Sequence, residues 1–175
     1  MNPQALHKVS YGVYLISSKS QEKLNGQIAN TVFQVASEPP IIAICVNKQN
    51  LTHEFIKESG KFSVSILYKD TPMKFIGKFG FKSGRDIDKF ADTKYKIGST
   101  GSPVVLENAV GYLEAEVISS ADSITHTLFL GKIVEAEITS DAEPMTYAYY
   151  HQVKQGLSPK TAPTYIKEEI KSDAH

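Results

Sequence analysis

Four polar residues that could bind a phosphate lie together in the segment VNKQNLTHEF. Asn47, Lys48, Asn50 and Thr52 fall within six residues, where an apolar run passes through a turn into the start of a predicted helix. Helix-start N–H groups, amide and hydroxyl donors and one cation are the groups that attract a phosphate. An ordinary capped helix with a solvated lysine would show the same residues, so the segment alone leaves both interpretations open.

Polar side chains also interrupt the strand-like segment GQIANTVFQVASEPP. Gln27, Asn30, Thr31 and Gln34 stand among apolar neighbours. Polar groups on a half-buried strand need hydrogen-bond partners. A planar ligand with polar edges, lying along this strand, would supply those partners. Water at the edge of a sheet would supply them equally well.

Positive charge gathers around two glycines in residues 78–90. The basic residues there, with one just upstream, are Lys74, Lys78, Lys82, Arg85 and Lys89. They could hold a second anionic group, such as the phosphate of a nicotinamide dinucleotide, or form a solvated surface loop. His126, at the start of a predicted strand, could orient a ligand or donate a proton, although histidines at such positions are more often structural.

Composition excludes several classes of protein. The 175 residues fit one domain, and 19 basic residues balance 19 acidic ones, so no global field favours nucleic acid or an anionic membrane. The single cysteine, Cys45, excludes an internal disulfide and a cysteine-rich metal site, and its apolar strand favours a buried thiol. No segment has the length of a membrane span or a signal-peptide core, and the P-loop, G-x-G-x-x-G and H-E-x-x-H motifs are absent. We therefore expect a cytoplasmic protein without a bound metal.

The elements that must position these residues are mostly strands. Apolar or alternating patterns predict them over 9–17, 24–37, 41–46 and 62–67, with two longer strands after residue 110. Glu38-Pro39-Pro40 is expected to block pairing after the second strand. Helices are predicted over 51–59, capped by Asn50 and stopped by Gly60, and from Thr71, with Pro72 at the first helical position. Strands with inserted helices favour a small antiparallel barrel with peripheral helices.

Taken in order along nearly the whole chain, these segments resemble the flavin reductase-like family of FMN-binding split barrels. The resemblance rests on six collinear segments: SYGVYLIS, GQIANTVFQVASEPP, IAICVNKQNLTHEFI, GKFSVSIL, SGRDIDKF and HTLFLGKIVEA. The tail YAYYHQVKQGLSPKTAPTY further resembles the flavoredoxin and high-molecular-weight rubredoxin branch. The family resemblance implies a mainly β split barrel with peripheral helices over residues 1–143. It also implies a tail over 144–175 that packs on the barrel or on a dimer partner.

The resemblance also implies what the residues do. Residues expected to border the flavin or to bind its edge and phosphate are Gln27, Ala29, Asn30, Thr31, Val46, Asn47, Lys48, Asn50 and Thr52. Arg85 and Lys89 would lie near the phosphate or the incoming nucleotide, and His126 would lie on the nicotinamide side. Thr31 replaces the usual serine of the family, and its extra methyl group affects how closely the ring can approach.

The implied activity is oxidoreduction. A homodimer would pass electrons from NADH or NADPH through bound FMN to a flavin, a ferric complex or a protein acceptor such as a rubredoxin-like protein. The alternative is an FMN electron-transfer protein, similar to flavoredoxin, that a partner protein reduces and NAD(P)H does not. Neither activity requires an acid–base dyad, because the flavin carries the redox chemistry.

Overall fold

Nine strands and three α-helices follow one another along residues 2–165, the part of the chain that the computed structural model describes. The strands are β1 (Tyr14–Ser20), β2 (Lys23–Ala29), β3 (Val32–Ser37), β4 (Pro40–Asn47), β5 (Lys61–Leu67), β6 (Tyr95–Ile97), β7 (Pro103–Val105), β8 (Ala109–Asp122) and β9 (His126–Ile138). The α-helices are α1 (Leu51–Ser59), α2 (Met73–Phe81) and α3 (Tyr147–Gln152), and a short 3-10 helix covers Pro3–Lys8.

Seven of these strands form one antiparallel sheet in the order β2-β1-β5-β8-β9-β4-β3. Its edges are β2 and β3, yet only Asn30 and Thr31 separate these strands in the chain. In a flat sheet the edges would lie about 29 Å apart, whereas the link from Ala29 to Val32 spans at most about 11 Å. The sheet is therefore curled into a barrel whose edges meet at residues 30 and 31, which confirms the predicted mainly β barrel.

Two apolar clusters hold this barrel together. The cluster inside the barrel comprises Ile16, Ala29, Ile42, Ile44, Val46, Ile56, Phe62, Val64, Ala115 and Phe129. The cluster between the barrel, α2 and the tail comprises Val13, Leu15, Leu67, Phe75, Ile76, Phe79, Phe90, Val105, Met145 and Tyr150. Burial of this apolar surface is the main favourable term in folding.

The second predicted strand differs from the structure. Residues 24–37 form two strands, because β2 pairs with β1 while β3 turns away to pair with β4. The prediction that Glu38-Pro39-Pro40 blocks pairing is also wrong. Ser37 pairs with Pro40 across a tight hairpin turn that contains the cis Glu38–Pro39 peptide. A turn needs no ladder N–H from its central residues, so proline is tolerated there.

The helix predictions are largely confirmed. Helix α1 begins and ends as predicted, and Gly60 follows it with a φ of 67°, in the left-handed region that favours glycine. Helix α2 begins at Met73, one residue later than predicted, because Pro72 is extended and precedes the helix instead of forming its first residue. The tail lies against the same barrel, with Met145 N–H donating to the carbonyl of Leu67. The last ten residues of the predicted tail, 166–175, lie outside the described residues. Within residues 2–165, no helix has the length and apolar character needed to cross a membrane.

Candidate functional site

A cavity of about 380 Å³ opens beside the meeting edges of the barrel, between the end of β2, the start of α1, the end of α2 and the tail. Seven residues predicted from the sequence line it: Gln27, Ala29, Asn30, Asn47, Asn50, Thr52 and Lys89. Its volume lies within the range of about 300–1,000 Å³ that is usual for small-molecule sites. The barrel therefore brings together residues from three separate segments of the sequence.

Helix α1 points an uncapped N-terminus at this cavity. Asn50 occupies the position before the helix, but the prediction that it caps the helix is wrong, because its side-chain Nδ2 donates to Gln27 Oε1 at 3.0 Å and no side-chain hydrogen bond caps the first turn. Asn47 Oδ1 instead accepts from the backbone N–H of Gln49 at 2.9 Å. The first turn of α1 thus has no side-chain cap, and its N–H groups and helix dipole favour an anion.

A buried amide oxygen at the wall of the cavity has no partner among the described residues. Asn25 is buried, and its Nδ2 donates to Thr52 Oγ1 at 2.9 Å, but its Oδ1 accepts no hydrogen bond. Both residues line the cavity. Because Thr52 Oγ1 accepts from Asn25, its own proton is available to donate. This pair therefore offers one acceptor and one donor to a ligand that carries hydroxyl or N–H groups.

Lys89 supplies a buried cation. Its side chain lines the cavity, although the residue is only 4% exposed, and Nζ donates to the carbonyls of Gly26 at 2.9 Å and Phe79 at 3.2 Å. Desolvation lowers the pKa of this amine to about 8. No carboxylate of residues 2–165 forms an ion pair with it. An anionic ligand would provide the missing counter-charge.

A second, more open cavity of about 460 Å³ adjoins the first, and His126 lines it. His126 Nε2 lies 3.2 Å from the carbonyl oxygen of Thr161, and Nδ1 lies 2.8 Å from Thr125 Oγ1. A carbonyl can only accept, so Nε2 carries the proton. Cys45 and Asn47 line both cavities, and burial raises the pKa of the Cys45 thiol. The two cavities thus share a floor at the end of β4.

Residues 6–158 match the model of the flavin reductase like domain. The chain belongs to this family. It is 50% identical over 165 residues to a high molecular weight rubredoxin of Moorella thermoacetica, a match that covers 94% of this chain and 72% of that protein. It is 49% identical over 169 residues to a ferric-chelate reductase (NAD(P)H) of Archaeoglobus fulgidus, which covers 97% of this chain and 100% of that protein.

Solved structures of flavin reductase-like proteins share the fold. An NADH:FAD oxidoreductase of Streptomyces globisporus has a TM-score of 0.73 at 25% identity, over 83% of this chain and 80% of that chain. A flavoredoxin of Methanosarcina acetivorans has a TM-score of 0.68 at 28% identity, over 74% of this chain and 69% of that chain. These similarities confirm the family resemblance inferred from the sequence.

Two predicted cations of this flavin reductase-like domain bind to protein groups and lie outside the lining of both cavities. Lys48 Nζ donates to the carbonyl of Ser123 at 2.9 Å and lies 3.3 Å from Asp122. Arg85 forms a bidentate pair with Glu54, and the hydrogen bond from Arg85 lowers the pKa of that carboxyl group. Lys82 and Lys89 both line the first cavity, but Lys82 is exposed, so Lys89 is the buried one of these two predicted cations.

Two further predicted residues, Thr31 and Val46, do not line either cavity. Thr31 Oγ1 donates to Asn30 Oδ1 at 3.0 Å, so it orients an amide that does line the first cavity. Val46 is fully buried in the apolar cluster inside the barrel. Both residues could therefore act on a ligand only through their neighbours.

Several lining residues of the flavin reductase-like domain were not predicted. Asn25 is one, and its alternation with Gln27 along β2 is a signal that could have identified it, since alternate residues face the same side of a strand. Gly84 is another: a Cβ atom there would lie 2.0 Å from Asn25 Oδ1, so the loop approaches β2 closely. The tail segment 157–163 also lines the cavity. No local pattern in the sequence indicates where that segment lies.

Proposed function

We propose that this protein passes electrons from NADH or NADPH through a bound FMN to a ferric complex or a rubredoxin-like protein. As a member of the flavin reductase-like family, the chain is an NAD(P)H-dependent flavin oxidoreductase. The observation that carries the proposal is the set of polar and charged groups around the first cavity. It combines an uncapped helix N-terminus with a buried amide oxygen and a buried cation that, among residues 2–165, have no hydrogen-bond donor and no carboxylate partner, respectively.

These groups fit the parts of FMN. The α1 N-terminus, the Thr52 hydroxyl and Lys89 would bind the phosphate, and Asn25 Oδ1 would accept a hydrogen bond from a ribityl hydroxyl. Gln27 and Asn30, at the end of β2, would border the polar edge of the ring. When bound, FMN accepts a hydride from a nicotinamide and passes electrons onward. The residues of this chain bind and orient the ring and limit the access of water.

The second cavity supports the entry of a nicotinamide beside the flavin. It shares its floor with the first cavity, so ligands in the two could meet above Cys45 and Asn47. Hydride transfer needs the reacting atoms about 3–3.5 Å apart. His126 Nε2–H, now bonded to the Thr161 carbonyl, could donate to a nicotinamide carboxamide instead. His126 would then be a positioning residue for the donor.

The two acceptor classes rest on the close relatives. One is a ferric-chelate reductase and one is a high molecular weight rubredoxin. An FMN electron-transfer protein that a partner protein reduces remains the second candidate, because a flavoredoxin shares the fold. We also propose a cytoplasmic location for this protein.

We further propose that the chain forms a homodimer. Edge strand β3 exposes Phe33 and Val35, at 51% and 49% of their surfaces. The far halves of β8 and β9 are exposed on both faces and carry Ile118, Val134 and Ile138. Apolar surface of this extent favours cover by a protein partner. Sedimentation equilibrium should give twice the chain mass, and a monomer mass at every concentration would refute the dimer.

Anaerobic absorbance spectroscopy tests the proposed activity directly. We expect the purified protein to bind FMN, and its visible flavin band to bleach within seconds after NADH or NADPH is added. A flavin band that persists with both nucleotides, but bleaches with a reduced redox protein, would favour the electron-transfer protein. A protein that stays colourless with added FMN would refute both candidates.

A pair of threonine variants tests the site itself. Thr52→Val removes the hydroxyl beside Asn25, and we expect it to weaken FMN binding by about tenfold. Thr139 provides the control, because its hydroxyl donates to the carbonyl of Ala109 and lies outside the cavity lining. Thr139→Val should keep the wild-type FMN affinity. Equal affinities for both variants would place FMN elsewhere.

A further inference from the structure

Residues 157–164, which we name the strap, cross between the two cavities. Lys160, Ala162 and Pro163 line both of them, as Cys45 and Asn47 do from the opposite side. The cavities are therefore two ends of one trough, and the strap passes over the point where they join. A ligand in the first cavity lies beneath this segment.

The first end of the strap is fixed by α3. Tyr150 Oη donates to the carbonyl of Leu157 at 2.9 Å, and His151 Nδ1 donates to the carbonyl of Gly156 at 2.7 Å. Gly156 packs so closely on the Tyr150 ring that a Cβ atom there would lie 2.1 Å from the ring. The chain therefore enters the strap at a defined position.

At the second end, the side-chain hydrogen bonds among the described residues meet at one hydroxyl group. Thr164 Oγ1 accepts from Asn30 Nδ2 at 2.8 Å and shares a hydrogen bond with Tyr147 Oη at 2.9 Å. Tyr147 Oη also contacts Ser158 Oγ, at the beginning of the strap. Thr164 thus joins the strap to the end of β2, where Asn30 lines the first cavity.

None of the residues 157–163 of the strap is fully buried. Leu157 is 73% exposed, Lys160 and Pro163 are also exposed, and the middle of the strap meets the barrel through the bond from His126 to the Thr161 carbonyl. Segments held by a few accessible hydrogen bonds open with low free energies. The strap can therefore open without unfolding of the barrel, and loss of one hydroxyl should shift that opening measurably.

We propose that the strap retains the flavin as a resident group, and that Thr164 is the positioning residue that keeps the strap closed. This inference rests on the proposed function, since the flavin is the ligand beneath the strap. A reductase that supplies free flavin must release it at each turnover. A strap fixed at both ends instead favours acceptors that come to the flavin, such as a ferric complex or a redox protein, over release of reduced flavin.

The release rate of FMN tests this role without a turnover assay. The FMN-loaded full-length protein is mixed with an excess of apoflavodoxin, which traps released flavin, and the transfer is followed spectroscopically. Thr164→Val removes both hydrogen bonds of the hydroxyl, so FMN release should become about fivefold faster or more. Thr164→Ser keeps the hydroxyl and should restore slow release, and Tyr147→Phe should accelerate release as Thr164→Val does.

Thr139→Val, remote from the strap, serves as the matched control and should release FMN at the wild-type rate. Equal circular dichroism spectra and melting temperatures without FMN would show that the variants fold alike. Wild-type release from both Thr164→Val and Tyr147→Phe would overturn the inference while leaving the proposed function intact. Equally fast release from Thr164→Ser and Thr164→Val would overturn the role of the hydroxyl. A wild-type protein that binds no FMN would refute the proposed function itself.

Discussion

The buried amine of Lys89 makes the stability of the flavin-free protein depend on pH. The amine loses water on folding and gains two backbone carbonyls but no carboxylate among residues 2–165. Its pKa falls from 10.5 to about 8. The charged form is therefore disfavoured in the folded state, and the variant Lys89→Met removes this effect.

The size and sign of the effect follow from the two pKa values. Their difference of about 2.5 corresponds to about 3 kcal/mol, at 1.36 kcal/mol for each pKa unit. Below pH 8 the amine is charged in both the folded and the unfolded state, so burying its charge lowers the free energy of unfolding by the full amount. Between about pH 8 and 10.5 the unfolded chain holds the proton more tightly, so the free energy of unfolding rises with pH.

Urea denaturation of the FMN-free protein, repeated from pH 7 to 10.5, measures this effect. We expect the wild-type free energy of unfolding to rise across this range by up to about 3 kcal/mol relative to that of Lys89→Met. Lys132, exposed on β9, provides the control, because Lys132→Met should keep the wild-type slope. Parallel pH profiles for the wild type and Lys89→Met would refute the argument that burial depresses this pKa.

Flavin binding extends the same prediction. A bound phosphate would favour the charged amine, so FMN affinity should fall as the pH rises above 8, by up to about tenfold per pH unit. Riboflavin lacks the phosphate and should show no such fall. A ratio of the FMN and riboflavin affinities that stays constant with pH would place the phosphate away from Lys89.

Three substitutions test other features of the structure. Arg85→Gln removes a half-exposed pair with Glu54, so FMN affinity should change by less than about twofold and stability by less than about 1 kcal/mol; a large loss in an FMN titration would return Arg85 to the site. The buried Glu114 carboxylate accepts from the backbone N–H groups of Ser99 and Thr100, and Glu114→Gln replaces one accepting oxygen with an NH2 group that can only donate. Urea denaturation should therefore show that the free energy of unfolding falls by about 1–3 kcal/mol. Gly131→Ala places a Cβ atom 2.6 Å from the Phe62 ring, and a cost of about 1–3 kcal/mol is expected in the same assay. An unchanged midpoint for either of the last two variants would contradict the packing described.

Local signals in the sequence predict the local elements. Helix α1 is bounded by a polar residue and by Gly60, and the structure places both ends as predicted. The break between β2 and β3 has no comparable local signal. It arises because the curled sheet requires β2 and β3 at its opposite edges, and pairing with distant strands determines that arrangement. The prediction for the prolines at 39 and 40 is wrong for a related reason. A hairpin turn and the end of a strand have the same composition, and only the pairing of β3 with β4 distinguishes them.

The candidate site shows the same division. Polar residues near the ends of β2 and β4 could be identified from their types and spacing, and most of them line the first cavity. The roles of Lys48 and Arg85 could not, because their carboxylate partners lie 74 and 31 residues away along the chain. A cation in a polar loop has the same sequence pattern whether it binds a ligand or a distant carboxylate. Only the fold distinguishes Lys89, which is buried, from these two.

The geometry of the barrel explains why the site can operate without an acid–base dyad. Asn30 and Thr31 link edge strand β2, which pairs with β1, to edge strand β3, which pairs with β4. At this link the Asn30 side-chain amide lines the first cavity and donates to Thr164 in the strap. None of the described residues that line this cavity is an aspartate or a glutamate. Neutral amides and hydroxyls with one buried cation suit a dianionic phosphate and a polar ring edge, but they offer no carboxylate to remove a proton. Such a site contributes binding and orientation, so its chemistry must come from the cofactor that it holds.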